Sequence, residues 1–386
     1  MVQAGLDALI ADGYAALSGK RVGVLTHPAS VDKSFVHLLD RFDAAKVDVK
    51  AIYGPEHGFL GHVQDMITLD AHETHPRLGC PIYSLYGSGE ESLSPKPEWF
   101  SGIDVLVIDL QDIGSRYYTF VWTAVLCMRV AAKTGTPLLV LDRPNPLGGT
   151  VIEGGGVDKG FHSFVGLYDV PVRHGLTVGE MLQLVRAEEK LDVLLDVVKA
   201  PGWKREAMPT GYAWVYPSPN MPTFDTALVY PGGCLIEATN ASEGRGTTRP
   251  FELFGAPYVE PESFARALTA LGEPGVIWRP VSFLPMFQKF GGKLCGGVQI
   301  HVTDPSAYKP FRAGVRFTRL LAEMTGFDWR KEPYEYVSDR NAFDLLTGTT
   351  AYRDAFRSDA ALVAVYDERE ARTRTFAERR AGALLY

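Results

Sequence analysis

The hydrophobic positions of this chain form short, uninterrupted runs that alternate with stretches of helical periodicity. The apolar runs lie at 21–25, 47–53, 103–110, 137–141 and 191–198. Helical spacing marks 35–42, 118–133 and 177–188, and an amphipathic helix is expected at the N-terminus. Uniformly apolar strands separated by amphipathic helices are typical of a parallel sheet covered on both faces. The pattern therefore predicts a doubly wound, mostly parallel α/β sheet.

Past residue 200 the pattern changes, because Pro and Gly interrupt short segments. Helical spacing returns at 261–271 and 308–324, and a strand is expected at 296–302. We therefore predict two domains, an α/β domain over residues 1–254 and a smaller C-terminal α+β domain over residues 255–386.

Composition narrows the class of protein. The chain has 386 residues, of which 46% are hydrophobic and 22% charged, and its net charge of −7 is spread without a long Lys/Arg tract. A nucleic-acid partner is therefore not expected. The four cysteines are far apart and lack ligand spacing, which predicts buried free thiols and no metal site.

No stretch approaches the ~20 apolar residues of a membrane span, so no membrane partner is expected. The N-terminal residues also lack the pattern of a signal peptide, from which we expect a cytoplasmic location. The sequence leaves the oligomeric state open.

Several motifs that would indicate other functions are absent. The first predicted strand is not followed by Gly-x-Gly-x-x-Gly, and no Gly-x-x-x-x-Gly-Lys-Ser/Thr occurs anywhere in the chain. Both absences argue against dinucleotide and nucleoside triphosphate chemistry, and no cofactor is expected. Gly-x-Ser-x-Gly is also missing, so a serine nucleophile elbow has no support.

Polar clusters directly follow three of the predicted strands. Glu56 and His57 come after the second run, between Pro55 and Gly58, which stop regular structure. The third run ends in the segment DLQD (109–112), and the fourth is followed by DRPNP (142–146). Because ligands bind beyond the carboxyl ends of parallel strands, these segments are expected to meet at one edge of the sheet.

A further polar loop, 237–248, contains Asn240, Glu243 and Arg245 between glycines. It has too few large apolar residues to form core, so we interpret it either as a functional loop or as an ordinary surface loop.

Six segments in this order closely resemble the exo-β-N-acetylmuramidase family, long catalogued as a domain of unknown function. They are GPEHGF (54–59), YSLYG (83–87), DLQDIGSRYYT (109–119), LDRPNP (141–146), PSPNMP (217–222) and NASEGRGTT (240–248). The resemblance implies a Rossmann-like domain that carries a cleft, and a smaller domain that closes it. It also implies hydrolysis of N-acetylmuramic acid from the non-reducing ends of peptidoglycan fragments.

The chemistry of glycoside cleavage fits these residues. An acid must protonate the leaving oxygen, and a second group must stabilise or capture an oxocarbenium-like centre. Glu56 is the first candidate for the acid, and Glu243, Asp109 and Asp112 are candidates for the second group. The acetamido oxygen of the substrate could serve instead, oriented by a carboxylate or by His57, and the sequence leaves this choice open.

Substrate-binding candidates are side chains suited to an anionic amino sugar. A guanidinium is the natural partner of the lactyl carboxylate, Asn and Asp bind hydroxyl or amide groups, and an aromatic ring stacks on a pyranose. The candidates are Asp112, Arg116, Tyr118, Asp142, Arg143, Asn145, Asn220, Asn240 and Arg245. One departure is Leu60, since the family usually has an arginine there, and substrate preference could differ for that reason.

Two other functions fit the same pattern. Asp109, Asp112, Asp142 and Glu153 could ligate a divalent metal, in a metal-dependent hydrolase. Alternatively, the loops could only bind cell-wall sugar, without catalysis.

Overall fold

A seven-stranded sheet is the larger of two sheets in the computed structural model. The structure describes residues 2–64, 67–69, 73–206 and 211–386. The strand order of the large sheet is β3-β4-β2-β1-β5-β6-β7, and all neighbours are parallel except β3 and β4. The strands are β1 (Arg21–Thr26), β2 (Asp48–Gly54), β3 (Glu73–Thr74), β4 (Pro81–Ser84), β5 (Val105–Asp109), β6 (Leu138–Leu141) and β7 (Leu195–Val198). The predicted doubly wound fold is confirmed, and each of the five predicted strands is present.

The sheet reverses its winding direction between β1 and β5. From β1 the chain proceeds outward through β2 and β4 on one side, and from β5 through β6 and β7 on the other. The loop after β1 and the loop after β5 therefore lead to opposite sides of the sheet. In folds of this kind a crevice opens between two such loops, at the carboxyl ends of the strands. The predicted polar segments lie at this edge of the sheet.

Ten helices pack around the strands in the described part of the chain. They are α1 (Gly5–Ala11), α2 (Leu38–Ala44), α3 (Phe120–Thr134), α4 (Val178–Glu189), α5 (Phe224–Gly233), α6 (Pro261–Ala270), α7 (Pro310–Ala322), α8 (Ala342–Thr347), α9 (Ala351–Asp354) and α10 (Asp359–Arg380). Helix α4 begins with a capping box, in which Thr177 and Glu180 bond each other's backbone amides. No helix in the described residues is long and apolar enough to cross a membrane.

A second, antiparallel sheet lies in the C-terminal part of the chain. Its order is β8-β10-β9, formed by β8 (Leu253–Ala256), β9 (Val276–Phe283) and β10 (Cys295–Val302). This smaller α+β part agrees with the predicted fold class, whereas the predicted boundary between residues 254 and 255 stays a prediction.

One hydrophobic core connects the two sheets. The largest buried cluster includes Ile108 of β5, Trp122 of α3, Phe254 of β8 and Phe317 of α7. A second cluster, with Leu6, Val24 and Phe42 among its members, fills the other face of the large sheet. All four cysteines are buried and free, as predicted.

Candidate active site

A small cavity lies at the carboxyl-end edge of the large sheet, beside the loop after β2, and is lined by both halves of the chain. The N-terminal half contributes Glu56 and His57 from the loop after β2, and the segment around Tyr118 that leads into α3. The remaining polar lining residues are Thr119, Ser218, Asn220, Tyr230, Glu237, Arg245, Tyr334 and Glu335. The cavity therefore brings together five of the predicted site residues: Glu56, His57, Tyr118, Asn220 and Arg245.

Glu56 is buried, and its carboxylate receives a hydrogen bond from a neutral group. The hydroxyl of Thr119 donates to Oε2 of Glu56 at 2.6 Å. Thr119 is also the N-cap residue of α3, but its side chain makes no bond to the helix backbone. The Glu56 carboxylate thus lies at the positive end of a 15-residue helix, where a negative charge is stabilised.

His57 adopts an unusual backbone conformation beside Glu56. Its φ is 69°, in the left-handed region that few residues other than Gly occupy, although Asn, Asp and His do so more often than the rest. Nδ1 of His57 lies 2.9 Å from the carbonyl oxygen of Val63. Because a carbonyl oxygen only accepts, Nδ1 carries a proton, and the other ring nitrogen, Nε2, faces away from this bond.

Arg245 reaches the cavity from a buried network of charged side chains. It donates to Oε1 of Glu237 at 2.6 Å and lies 3.2 Å from Oε1 of Glu243. Lys289 also pairs with Glu243, at 2.9 Å. Burial raises the pKa of Glu243, but Lys289 and Arg245 outweigh it and hold the pKa below its usual value. Glu243 therefore stays ionised and orients Arg245, and it does not line the cavity.

The loop that carries these residues is buried rather than superficial. Glu237, Thr239, Ser242 and Glu243 are each at most 4% exposed. The interpretation of 237–248 as an ordinary surface loop is therefore wrong. Its polar side chains are accommodated in the interior because they bond one another and the backbone.

Asp109 and Arg143, which were predicted to reach the substrate, form a buried ion pair instead of lining this cavity. Nε and Nη2 of Arg143 donate to the two carboxylate oxygens of Asp109 at 2.5 and 3.0 Å. The hydroxyl of Tyr212 accepts a further bond from Arg143 at 3.0 Å. Arg143 lines a separate cavity, together with Gln111 and Tyr212.

His27 lies between these two regions and is fully buried. The backbone amide of Gln111 donates to its Nε2 at 2.9 Å, so Nδ1 carries the proton and faces the carbonyl of Pro217 at 3.2 Å. Burial lowers the pKa of His27 to about 3, and Arg143 contributes to the same direction. His27 is therefore neutral and holds the two loops together.

Asp112 and His174 form a second buried pair behind the cavity. Oδ2 of Asp112 accepts the backbone amide of Gly114 at 2.6 Å and lies 3.9 Å from Nε2 of His174. Burial raises the pKa of Asp112 to about 7 and lowers the pKa of His174 to about 3. Below neutral pH the pair therefore carries little charge, and neither residue lines the cavity.

Four other substrate-binding candidates have structural contacts outside the cavity. Arg116 is fully buried and donates to the carbonyls of Val170 and Leu346. Asp142 accepts bonds from the Gly179 amide and the Tyr386 hydroxyl. The side chains of Asn145 and Asn240 bond the carbonyls of Leu176 and Gly326, respectively. Leu60 is 63% exposed and also lies outside the lining.

Sequence reasoning missed Glu237, Tyr334 and Glu335. Glu335 follows no strand of the large sheet, so the rule that places ligands at strand ends does not predict it. The local signal is the alternation of aromatic and acidic residues in PYEY (333–336). Such a segment is too polar for core and too aromatic for an ordinary turn.

The acidic residues proposed above as metal ligands are dispersed. Asp109 binds Arg143, Asp142 binds Tyr386, and Oε1 of Glu153 accepts the backbone amide of Arg312 at 3.0 Å. Across the residues that the structure describes, no group of three or more His, Cys, Asp or Glu side chains could hold a metal ion.

Comparisons with known proteins cover the whole chain. Family profiles described as the N-terminal and C-terminal parts of the exo-β-N-acetylmuramidase NamZ match residues 22–225 and 228–386. A peptidoglycan β-N-acetylmuramidase NamZ from Bacillus subtilis (strain 168) is 38% identical over 388 residues, covering 100% of this chain and 91% of the relative.

Two solved structures share the fold. Both are DUF1343 family proteins from Bacteroides fragilis NCTC 9343, with 32% identity and a TM-score of 0.87 in one case, and 25% identity and 0.78 in the other. Each comparison covers 100% of this chain and 99% of the solved chain.

Proposed function

Since the chain belongs to the exo-β-N-acetylmuramidase NamZ family, we propose that it is an exo-acting glycoside hydrolase. Its substrate is a peptidoglycan fragment, from whose non-reducing end it releases N-acetylmuramic acid. The observation that carries the proposal within this chain is a buried carboxyl group, Glu56, in a cavity that also contains a guanidinium, Arg245.

Glu56 is the general acid in this proposal. In its protonated form it transfers a proton to the glycosidic oxygen while the bond from that oxygen to the anomeric carbon breaks. The aglycone then leaves as an alcohol. Water supplies the oxygen that bonds to the anomeric carbon, and its released proton restores the acid, so that one water molecule is consumed.

The surroundings of Glu56 favour this proton transfer. Once Glu56 has lost its proton, the Thr119 hydroxyl donates to the new carboxylate, and the N-terminus of α3 stabilises its charge. His57 lies at the same wall, where its Nε2 can accept a hydrogen bond from a substrate hydroxyl or amide. Neither Asp109 nor Glu243 lines the cavity. Catalytic roles for these two residues stay predictions.

Arg245 is the proposed partner of the lactyl carboxylate. It is a cavity-lining residue with a planar, permanently charged head, which a substrate carboxylate would share with Glu237 and Glu243. Arg245→Lys keeps the charge but removes that geometry. We expect the preference for the 4-nitrophenyl β-muramide over the β-glucosaminide, measured as a ratio of kcat/KM, to fall by about 10-fold. An unchanged ratio would remove Arg245 from sugar selection.

The assay that tests the reaction uses the disaccharide in which N-acetylmuramic acid is β-1,4-linked to N-acetylglucosamine. We expect the purified protein to release the muramic acid, and Glu56→Gln to lower kcat by about 10²–10⁴-fold while binding of the released sugar is kept. The matched control is Glu98→Gln, an exposed glutamate of the same half. Binding without any turnover by the wild-type protein would instead support a sugar-binding module.

Metal dependence is tested in the same assay. We expect activity to be equal before and after treatment with EDTA, because the steps above use only protein side chains and water. Loss of activity in EDTA, with recovery on adding a divalent cation, would favour the metal-dependent hydrolase. The cytoplasmic location and the absence of a nucleic-acid partner stay predictions, which cell fractionation and a DNA-binding assay would check.

A further inference from the structure

A tight turn in the C-terminal half places a second carboxylate in the cavity. Tyr334 and Val337 exchange backbone hydrogen bonds of 2.9 and 3.0 Å across the two residues between them. Those two residues, Glu335 and Tyr336, have φ values of 46° and 67°. Two successive positive φ angles define a type I′ turn, which normally contains Asn-Gly because other side chains are strained there.

The surrounding side chains hold this turn in place. The Tyr336 hydroxyl donates to the carbonyl of Gly87 at 2.8 Å, and the Tyr334 hydroxyl donates to Oε2 of Glu237 at 2.7 Å. The rings of Tyr86 and Tyr336 meet edge to face, with centroids 5.7 Å apart. A Glu-Tyr pair in an Asn-Gly conformation persists only where such contacts impose it, and strained residues of this kind cluster at functional sites.

The turn directs Glu335 toward the wall that carries Glu56. Both carboxylates line the same cavity, and Glu335 is only 6% exposed. The hydroxyl of Tyr86 donates to Oε2 of Glu335 at 3.1 Å. Burial raises the pKa of Tyr86, and the charges of Glu56 and Glu335 raise it further, so this hydroxyl remains a donor and lies near both acids.

We propose that Glu335 is the second catalytic carboxylate of this site, acting together with Glu56. The inference rests on the glycosidase function proposed above. While Glu56 protonates the departing oxygen, the carboxylate form of Glu335 would stabilise the positive charge that develops at the anomeric carbon. The two acids come from different halves of the chain, so the site is complete only when the halves pack together.

The two roles differ in their dependence on the leaving group. A 4-nitrophenolate leaves readily without a proton, whereas the sugar alcohol of the disaccharide needs one. Charge stabilisation at the anomeric carbon is needed for both substrates. We expect Glu56→Gln to lose far more kcat on the disaccharide than on 4-nitrophenyl β-muramide, and Glu335→Gln to lose at least about 100-fold on both.

A second variant separates catalysis from folding. Asn is favoured at the first central position of a type I′ turn, so Glu335→Asn relieves backbone strain while it removes the carboxylate. We expect a melting temperature at or above that of the wild type, together with the loss of turnover. The matched control is Glu332→Gln, an exposed carboxylate three residues earlier, which should leave both properties unchanged.

The outcomes distinguish this inference from the proposed function. If the wild type cleaves the muramide and both Glu335 variants keep turnover within about threefold, Glu335 has no catalytic role and the inference is overturned alone. If both variants keep kcat and instead raise KM as far as the affinity for the released sugar falls, Glu335 only binds substrate, which overturns it as well. A wild-type protein that cleaves neither substrate would overturn the proposed function, and the inference with it.

Discussion

Thr119 directly precedes helix α3, and its hydroxyl donates a 2.6 Å hydrogen bond to the candidate acid, Glu56. Thr119→Val keeps the shape of the side chain and removes this donor. Because the hydroxyl does not cap α3, the fold should tolerate the change. We expect kcat on the disaccharide to fall by about 10-fold, since the acid loses its orientation and the stabilisation of its ionised form.

Thr119→Ser is the matched control for that experiment. It retains the hydroxyl, so its kcat should stay within about threefold of the wild type. Equal rates for the valine and serine variants would show that the hydrogen bond does not contribute to the reaction.

The buried Asp112–His174 pair makes a specific contribution to the pH dependence of stability. Between about pH 4 and 6.5 the unfolded chain has an ionised Asp112 and a protonated His174, which is one bound proton. The folded pair also holds one proton, but on the carboxyl group, because the pKa of Asp112 is raised to about 7 and that of His174 lowered to about 3. The pair therefore adds almost no pH dependence in this range.

Single substitutions should reveal the two opposing effects. In Asp112→Asn only the unfolded state takes up a proton on His174, so the free energy of unfolding should rise with pH from about 3 to 6.5. In His174→Asn only the folded state keeps a proton on Asp112, so the free energy of unfolding should fall as pH rises from about 4 to 7. Each effect is at most about 5 kcal/mol, and urea denaturation across pH measures it. Parallel pH profiles for both variants and the wild type would contradict this pairing.

Residue types near strand ends were predictable, but their partners were not. Glu56 and Arg245 were recognised as chemical groups in loops, and both line the cavity. Asp109 and Arg143 have the same sequence signals, yet they neutralise each other across 34 positions. Which guanidinium faces a cavity and which faces a neighbouring acid depends on long-range packing, for which a single sequence carries no direct signal.

At the scale of elements, strong patterns were predicted well and weak ones were missed. The buried strands β1, β5 and β6 are nearly continuous in apolar residues, and α3 has an apolar face that is easily recognised. The longest helix, α10, is rich in charge and has few buried apolar residues, so its sequence resembles a solvated segment. Ion pairs add to the core contacts of Leu362, Tyr366 and Phe376 in holding this helix.

Arg369 and Arg372 on α10 bind the same partner, Asp158, in different surroundings. Arg369 is buried and also donates to the carbonyl of Gly156 at 2.8 Å, whereas Arg372 is about half exposed. We expect Arg369→Ala to lower the free energy of unfolding by about 3 kcal/mol, because it leaves the carbonyl of Gly156 unpaired and removes a buried side chain. Arg372→Ala should cost less than about 1 kcal/mol, since solvent screens an exposed pair.

Chemical denaturation of the two variants checks this difference. The cost of Arg372→Ala should also shrink in high salt, while the cost of Arg369→Ala should persist. Similar costs for both substitutions would mean that burial does not determine how α10 is held.

At the scale of the whole molecule, the two halves share one core and one cavity. The family profiles divide the chain between residues 225 and 228, but the largest hydrophobic cluster runs from the seven-stranded sheet through α3 to the three-stranded sheet. The cavity likewise takes Glu56 from one half and Glu335 from the other. The sequence indicated two kinds of architecture, but it could not show that their cores are continuous, because that depends on how the sheets dock.

A shared core predicts that the chain unfolds as one cooperative unit. Separation of the halves would expose apolar side chains of the shared cluster, which contains Ile108 from one half and Phe254 from the other. A state with only one folded half is therefore unfavourable. Tryptophan fluorescence and far-ultraviolet circular dichroism should therefore report the same denaturation midpoint. Calorimetry should show one transition, whose calorimetric and van't Hoff enthalpies agree. Two separate transitions, or a stably folded fragment of residues 22–225 alone, would mean that the halves are independent domains, and a site built from both would then depend on how tightly they dock.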